Sequence, residues 1–214
     1  MRAIDLPQVI PVFPLDGVLL LPDGTLPLNV FEPRYLNMID DVMAGDRIIG
    51  ILQSRSGGDR QTPRLMEVGC IGKITSFTET PDGRYLITLT GLCRFSLGAE
   101  LDLPTPYRQV RVDYGPWLDD LQAADEPDAE ARDALFEALK SYLDHRGLAM
   151  DWDAVRAAPV NALVASLCMA LPFDSTEKQA LLEAPTPSDR REALITLLRF
   201  DAAGGLPGDA SGLQ

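Results

Sequence analysis

The sequence predicts an α+β protein, with a β-rich first half and an all-helical second half. Three observations predict it. After a Pro81-Asp82-Gly83 turn, Tyr85, Ile87, Leu89, Gly91, Cys93, Phe95 and Leu97 fall on one side of a period-two pattern. A second Pro-Asp-Gly, at Pro22-Asp23-Gly24, separates two apolar bursts. After Trp117 the alternation gives way to helical spacing, in Leu135, Leu139 and Tyr142 and again in Leu194, Leu197 and Leu198. Strands followed by helices mark an α+β chain or two abutting subdomains. The expected division is a β-rich subdomain at 1–116, an α-helical subdomain at 117–203 and a flexible tail at 204–214.

The elements follow from local chemistry. "QVIPVFPL" is short and β-branched, and its prolines lack a ladder donor, so the strand is expected at an edge or interrupted. Pro33 suits the first turn of a helix carrying Leu36, Ile39 and Met43, with Gly45 as its stop. "DRIIGILQ" reads as a buried strand and "YRQVRVDYG" as a later one. The long second arm of the hairpin is expected to bend at Gly91. Asp128, Glu130 and Asp133 favour a helix start, and Gly147 its end. "PVNALVASLCMALPF" is apolar on nearly every side, so it reads as a buried helix stopped by Pro172. Asp174 or Ser175 is the expected cap of the helix that follows.

Charge limits the partners. The 214 residues carry a net charge of −13. Residues 1–116 hold 14 acidic and 11 basic side chains, whereas 117–214 hold 18 acidic and 8 basic. No basic run is present to neutralise phosphates, so neither nucleic acid nor an anionic membrane is an expected partner. Cys70, Cys93 and Cys168 are widely spaced and read as buried free thiols of a reducing compartment. Asp5 and the early prolines break any signal-like apolar run, and no stretch is long enough to span a bilayer; the expected location is the cytoplasm.

Reactive machinery is scarce. His145 is the sole histidine and sits where a cation suits a helix C-terminus. Neither a Gly-x-Ser-x-Gly elbow nor a Gly-x-x-x-x-Gly-Lys-Ser/Thr loop occurs. No catalytic, metal-binding or cofactor-binding residue is therefore assigned. The most distinctive cluster is Phe31, Glu32, Pro33, Arg34 and Tyr35. An arginine beside aromatic rings can grip a carboxylate or stack on a ligand. The same residues can instead staple the chain to the helix and cap its first turn.

The segments "IPVFPLDGVLLLPDGTLPLNVFEPRYLNMI" and "VGCIGKITSFTETPDGRYLITLTGLCRF" resemble the N-terminal substrate-binding domain of Lon proteases. The likeness is nearest to stand-alone bacterial proteins made of that domain. Leu-Pro-Leu, Phe-Glu-Pro-Arg-Tyr and Gly-Leu-x-Arg-Phe carry it, and it extends over roughly residues 8–200. The resemblance implies a twisted PUA-like β-barrel followed by an α-helical bundle. It also implies protein or peptide binding without ATP, since the phosphate loop and Ser-Lys protease of full-length Lon have no counterpart here.

The resulting expectation is a non-enzymatic module for unfolded or extended polypeptide segments, an adaptor or chaperone-like protein beside a protease, as a monomer or weak homodimer. Candidate contacts are Leu19, Leu20, Leu21, Phe31, Arg34 and Tyr35, with a strand edge near Val9–Val12 open to an extended peptide. Two alternatives stand beside it. One is an enzyme built on unrecognised carboxylates. The other is an RNA-binding PUA-like domain using Arg47, Arg55, Arg60, Arg64, Arg94, Arg108 and Arg111.

Overall fold

The computed structural model describes residues 5–55 and 63–204; the expected tail beyond 204 lies outside the described residues. Among the described residues, eight strands and six α-helices follow in order. The strands are β1 (Val9–Pro14), β2 (Thr25–Val30), β3 (Ile48–Leu52), β4 (Ser54–Arg55), β5 (Arg64–Leu65), β6 (Val68–Glu79), β7 (Tyr85–Leu101) and β8 (Gln109–Asp113). The helices are α1 (Pro33–Met43), α2 (Ala129–Arg146), α3 (Trp152–Ala157), α4 (Val160–Ala170), α5 (Ser175–Glu183) and α6 (Pro187–Ala202). A 3-10 segment occupies Gly115–Leu121.

Spatially the chain forms two compact units, Met1–Ala123 with Ala165–Glu183, and Ala124–Val164 with Ala184–Gln214. The helical stretch 165–183 thus groups with the strands. Polar bonds explain why. Gln179 donates to the Val68 carbonyl at 3.1 Å, and Gln53 donates to the carbonyl of Ser175 at 3.1 Å. Buried Lys178 donates from Nζ to the Gly17 carbonyl at 2.8 Å.

In the first unit the main sheet runs β2-β7-β6-β3-β1-β8, and β8 also pairs with β7. Five strands therefore return on themselves, and β2 is left outside that cycle. The strand over Val9–Pro14 is not a free edge, which corrects the expectation of an open edge there. Val9–Pro11 pair with β8 and Val12–Pro14 with β3. Changing partner midway lets two prolines sit in an enclosed strand, because neither ladder runs the strand's full length.

The hairpin forms as expected, and β7 continues to Leu101. Its register against β6 slips between Ile71 and Gly72, opposite Gly91–Cys93, and again between Ile74 and Ser76. The first apolar burst differs from the sequence reading: Leu19, Leu20 and Leu21 form no strand. They cross the sheet and are 2 %, 1 % and 0 % exposed. The Leu21 carbonyl accepts from Gly24, and the Asp23 amide donates to the Gly91 carbonyl at 3.0 Å. A Cβ on Gly91 would lie 1.9 Å from the Leu21 oxygen, so only glycine fits.

Three groups converge near that point. Arg94, 2 % exposed, grips Asp120 with Nε and a terminal nitrogen, each at 2.8 Å. It also donates to the Leu182 carbonyl at 3.0 Å and stacks 4.2 Å from the Trp117 ring centroid. Phe95 fills the centre of the core. Gly69 and Gly50 leave room for its ring, whose Cζ would stand 2.7 and 3.1 Å from a Cβ at those positions.

The buried side of α1 centres on Tyr35, Met38 and Ile39, while Leu36 and Met43 are half-buried, one step round the helix from the sequence expectation. In the second unit, Asp128 caps α2 by accepting from Ala131, and Gly147 ends it at φ 65°. A short helix, α3, was not marked by sequence pattern; Asp151 caps it through the amides of Asp153 and Ala154. Asp174 and Glu177 form a reciprocal cap at the start of α5, as Thr186 and Asp189 do at α6. Arg146 pairs with buried Asp201 and ties α2 to α6.

A glycine-to-alanine pair tests this packing. Gly91→Ala is expected to cost roughly 3 kcal/mol or more, because a backbone oxygen blocks the new methyl. Gly45→Ala, whose nearest neighbour would be 3.9 Å away, is expected to stay within about 1 kcal/mol of the parent in urea denaturation. Equal effects would refute the close approach.

Candidate functional site

Phe31 and Glu32 join β2 to α1, whose first three residues are Pro33, Arg34 and Tyr35. Pro33 occupies the first helical position, where its missing N–H leaves nothing unpaired. Glu32 takes the N-cap place with extended backbone but without a side-chain cap bond. Its carboxylate instead accepts from Arg34 Nε at 3.0 Å. The guanidinium lies 4.5 Å from the Tyr35 ring centroid, and Tyr35 packs on Phe13 at 4.1 Å. Tyr35 is buried, Arg34 half-buried, and Phe31 is 64 % exposed at the end of β2.

The sequence candidates therefore separate. Phe31 and Arg34 reach the surface, with Tyr35 buried against Arg34. Leu19, Leu20 and Leu21 lie in the interior: a methyl on Gly72 would come within 2.7 Å of a Leu20 methyl. A charge at Leu20 would report on folding rather than on a surface.

Arg34 and Tyr35 also line a dimple with Val12, Pro14, Pro106, Tyr107 and Arg108. Its volume is about 20 Å³, room for roughly one water. Arg108 is held by Glu100 through two 2.7 Å bonds, so both arginines at this site carry a carboxylate partner. Sequence reasoning missed Tyr107 and named Arg108 only among the arginines for RNA, because more than 70 residues of chain separate them from Arg34 and the β1–β8 pairing brings them close. On the exposed side of α1, Asp40 and Asp41 each accept from a tyrosine: Tyr85 reaches Asp40 at 2.9 Å and Tyr107 reaches Asp41 at 2.6 Å.

Electrostatics favour unreactive groups. Burial, with the nearby Asp120 charge, pushes the Cys93 thiol up to about 12. Burial and the bond to Asp41 push Tyr107 up to about 12. Burial also raises Tyr35 and Tyr114. Among the described residues no group of three or more His, Cys, Asp or Glu side chains converges to hold a metal. No described helix is long and apolar enough to cross a membrane. Of the arginines proposed for RNA, Arg94 is buried on Asp120, Arg108 is paired with Glu100, Arg55 lies 3.9 Å from Glu67, and Arg60 is outside the described residues.

Comparison with known proteins gives a consistent picture. Residues 9–199 match the family model for the ATP-dependent protease La (LON) substrate-binding domain. Lon protease 2 of Myxococcus xanthus is 31% identical over 111 residues, covering 51% of this chain and 13% of that protein. Lon protease 2 of Thermus thermophilus is 26% identical over 212 residues, covering 92% of this chain and 25% of that protein. The chain thus spans a quarter or less of the length of these relatives. Among solved structures, a Lon N-terminal domain protein from Xanthomonas campestris superposes with a TM-score of 0.65 at 22% identity, over 88% of this chain and 97% of that one. The N-terminal domain of Mycobacterium avium complex Lon protease gives 0.62 at 20% identity, over 89% and 97%. Both share the α+β fold, with its sheet-rich N-terminal part and its helices.

The raised acids set a pH response. A group that keeps its proton longer in the folded than in the unfolded chain stabilises the fold below its unfolded pKa, and that contribution is lost as pH rises toward its folded value. Cys93 and Tyr107 therefore place a loss of stability between about pH 9 and 12, joined by Tyr35 and Tyr114. Lys178, lowered by burial, opposes it with one group. The urea midpoint is expected to fall across this range; a flat or rising midpoint would contradict these environments.

Proposed function

Because the chain belongs to the ATP-dependent protease La (LON) substrate-binding domain family, we propose that it is a non-enzymatic module that binds unfolded or extended polypeptide segments without ATP. On this reading it is a bacterial cytoplasmic adaptor or chaperone-like recognition protein that works beside a protease. The strand cycle would be the PUA-like barrel implied by the sequence resemblance, and the later helices its helical bundle.

The observation that carries the reading is Phe31. A large aromatic side chain left 64 % exposed costs free energy in water unless something covers it. Its backbone is held on both sides, by β2 before it and by the Glu32–Arg34 pair and Pro33 after it. An aromatic anchor fixed in advance loses little freedom when a partner closes over it. Arg34 offers a charge-assisted contact at the rim, and Tyr35 supports it from below. The net charge of −13 favours neutral or basic segments over acidic ones.

Reduced, carbamidomethylated ribonuclease A, an unfolded basic chain, is a suitable probe. Fluorescence anisotropy without nucleotide is expected to show saturable binding. Phe31→Ala is expected to weaken it by roughly 5-fold or more while leaving the melting temperature within about 2 °C of the parent. Absence of binding, or unchanged affinity in the variant, would overturn the reading.

A further inference from the structure

Among the described residues, β2 is a free edge of the main sheet, and its hydrogen-bonding groups define an occupant. β2 pairs with β7 from Thr25↔Thr90 to Val30↔Tyr85 and has no second strand partner among the described residues. Pro27 stands opposite Thr88. Proline has no N–H, so that pair cannot be a hydrogen-bonded one. By the alternation of an antiparallel ladder, Thr25 and Asn29 are then also in non-bonded pairs, and their amides and carbonyls point away from β7. The neighbouring parity agrees: the Gly24 carbonyl accepts from the Gly91 amide at 2.9 Å. The outer rim of β2 therefore offers the N–H and C=O of Thr25, the C=O of Pro27, and the N–H and C=O of Asn29. All three residues are exposed.

We propose that an extended segment of a client polypeptide adds to β2 as a further antiparallel strand, bonded through its backbone to Thr25 and Asn29. This rests on the polypeptide-binding reading and specifies how the segment is held. Main-chain bonds give the affinity and tolerate many side chains. The β2 residues that would face the guest, Thr25, Pro27 and Asn29, carry no charge, although the chain as a whole carries −13. Uncharged, β-branched or aromatic guest residues suit that neighbouring strand. Phe31 lies two residues beyond Asn29, beside the path of the guest.

Pro27 decides between occupants. Two β2 strands paired symmetrically about this residue would set proline against proline and lose both bonds of the central pair. An ordinary guest loses only one. The edge is thus blunted against a second copy of the chain yet open to a different segment.

Amide exchange by NMR, with and without saturating reduced, carbamidomethylated ribonuclease A, tests this directly. The amides of Thr25 and Asn29 are expected to exchange roughly 10-fold more slowly in the complex, while those of Leu26 and Leu28, already in the ladder, change little. Asn29→Pro removes an outward donor and leaves the β2–β7 ladder intact; it is expected to weaken binding about 2- to 10-fold. Pro27→Ala adds a donor and is expected to tighten binding by a similar factor. Binding with unprotected Thr25 and Asn29 amides and an unaffected Asn29→Pro variant would overturn the strand-addition mode and leave the polypeptide-binding reading standing. Failure of the parent protein to bind the probe would overturn both. Protection of the two amides that grows with protein concentration alone would show a second copy on the edge, and would also overturn the proposal.

Discussion

The first unit depends on a close contact between two stretches of backbone, at Gly91 against Leu21. The Leu21 oxygen occupies the place where a Cβ would stand, so the leucine-rich crossing lies directly on the sheet. Two amide–carbonyl bonds, Asp23 to Gly91 and Gly91 to Gly24, hold the crossing there. Three residues on, Arg94 turns its charge into the interior and is neutralised by Asp120. A buried pair of this kind adds little net stability over an apolar substitute, but breaking it on one side costs several kcal/mol. Its effect is specificity: it fixes the 3-10 segment and the end of α5 against β7 in one arrangement. The motif Gly-Leu-x-Arg-Phe thus reads physically as close approach, charge anchor and core filler.

That anchoring explains why the surface at β2 can be left incomplete. β7 is long enough to serve two purposes. Its latter part, from Ser96 to Leu101, joins the strand cycle through β8, while its first part, from Tyr85 to Thr90, carries β2 as an outlying strand. α1 is pinned near its C-terminal end by two consecutive carboxylates, Asp40 accepting from Tyr85 of β7 and Asp41 from Tyr107 just before β8. Stability resides in groups that no partner needs to touch. The exposed aromatic and the unpaired rim are then presented by a rigid support, which is the arrangement that favours binding over rearrangement.

Much of this was legible in the chain, and the rest was hidden for identifiable reasons. The hairpin was legible because period two and a Pro-Asp-Gly turn agree at the same place. Helix starts at Pro33, Asp128 and Asp174 were legible because caps are local chemistry. The crossing at Leu19–Leu21 was not: three leucines before a turn look the same whether they form a strand, a greasy surface or a core plug. Prolines in β1 correctly signalled a broken ladder, but a strand can be broken by changing partner as well as by lying at an edge. The Arg94–Asp120 anchor spans 26 residues and the Gln53–Gln179 bond 126, and nothing in periodicity reports pairings at such separations. Phe31 and Arg34 were singled out because they are unusual neighbours; the dimple that Arg34 borders needed Tyr107 and Arg108, which no local pattern connects to it.

The central claim is that recognition of polypeptide lies on the β2–Phe31 surface of the first unit. Site-specific photo-crosslinking addresses it most directly, with benzoylphenylalanine placed at Phe31 or, in a second protein, at Phe200, an exposed aromatic of the second unit. Irradiation with an unfolded chain is predicted to give adducts from position 31 and few from position 200. Equal yields from the two positions, or a higher yield from 200, would contradict the account.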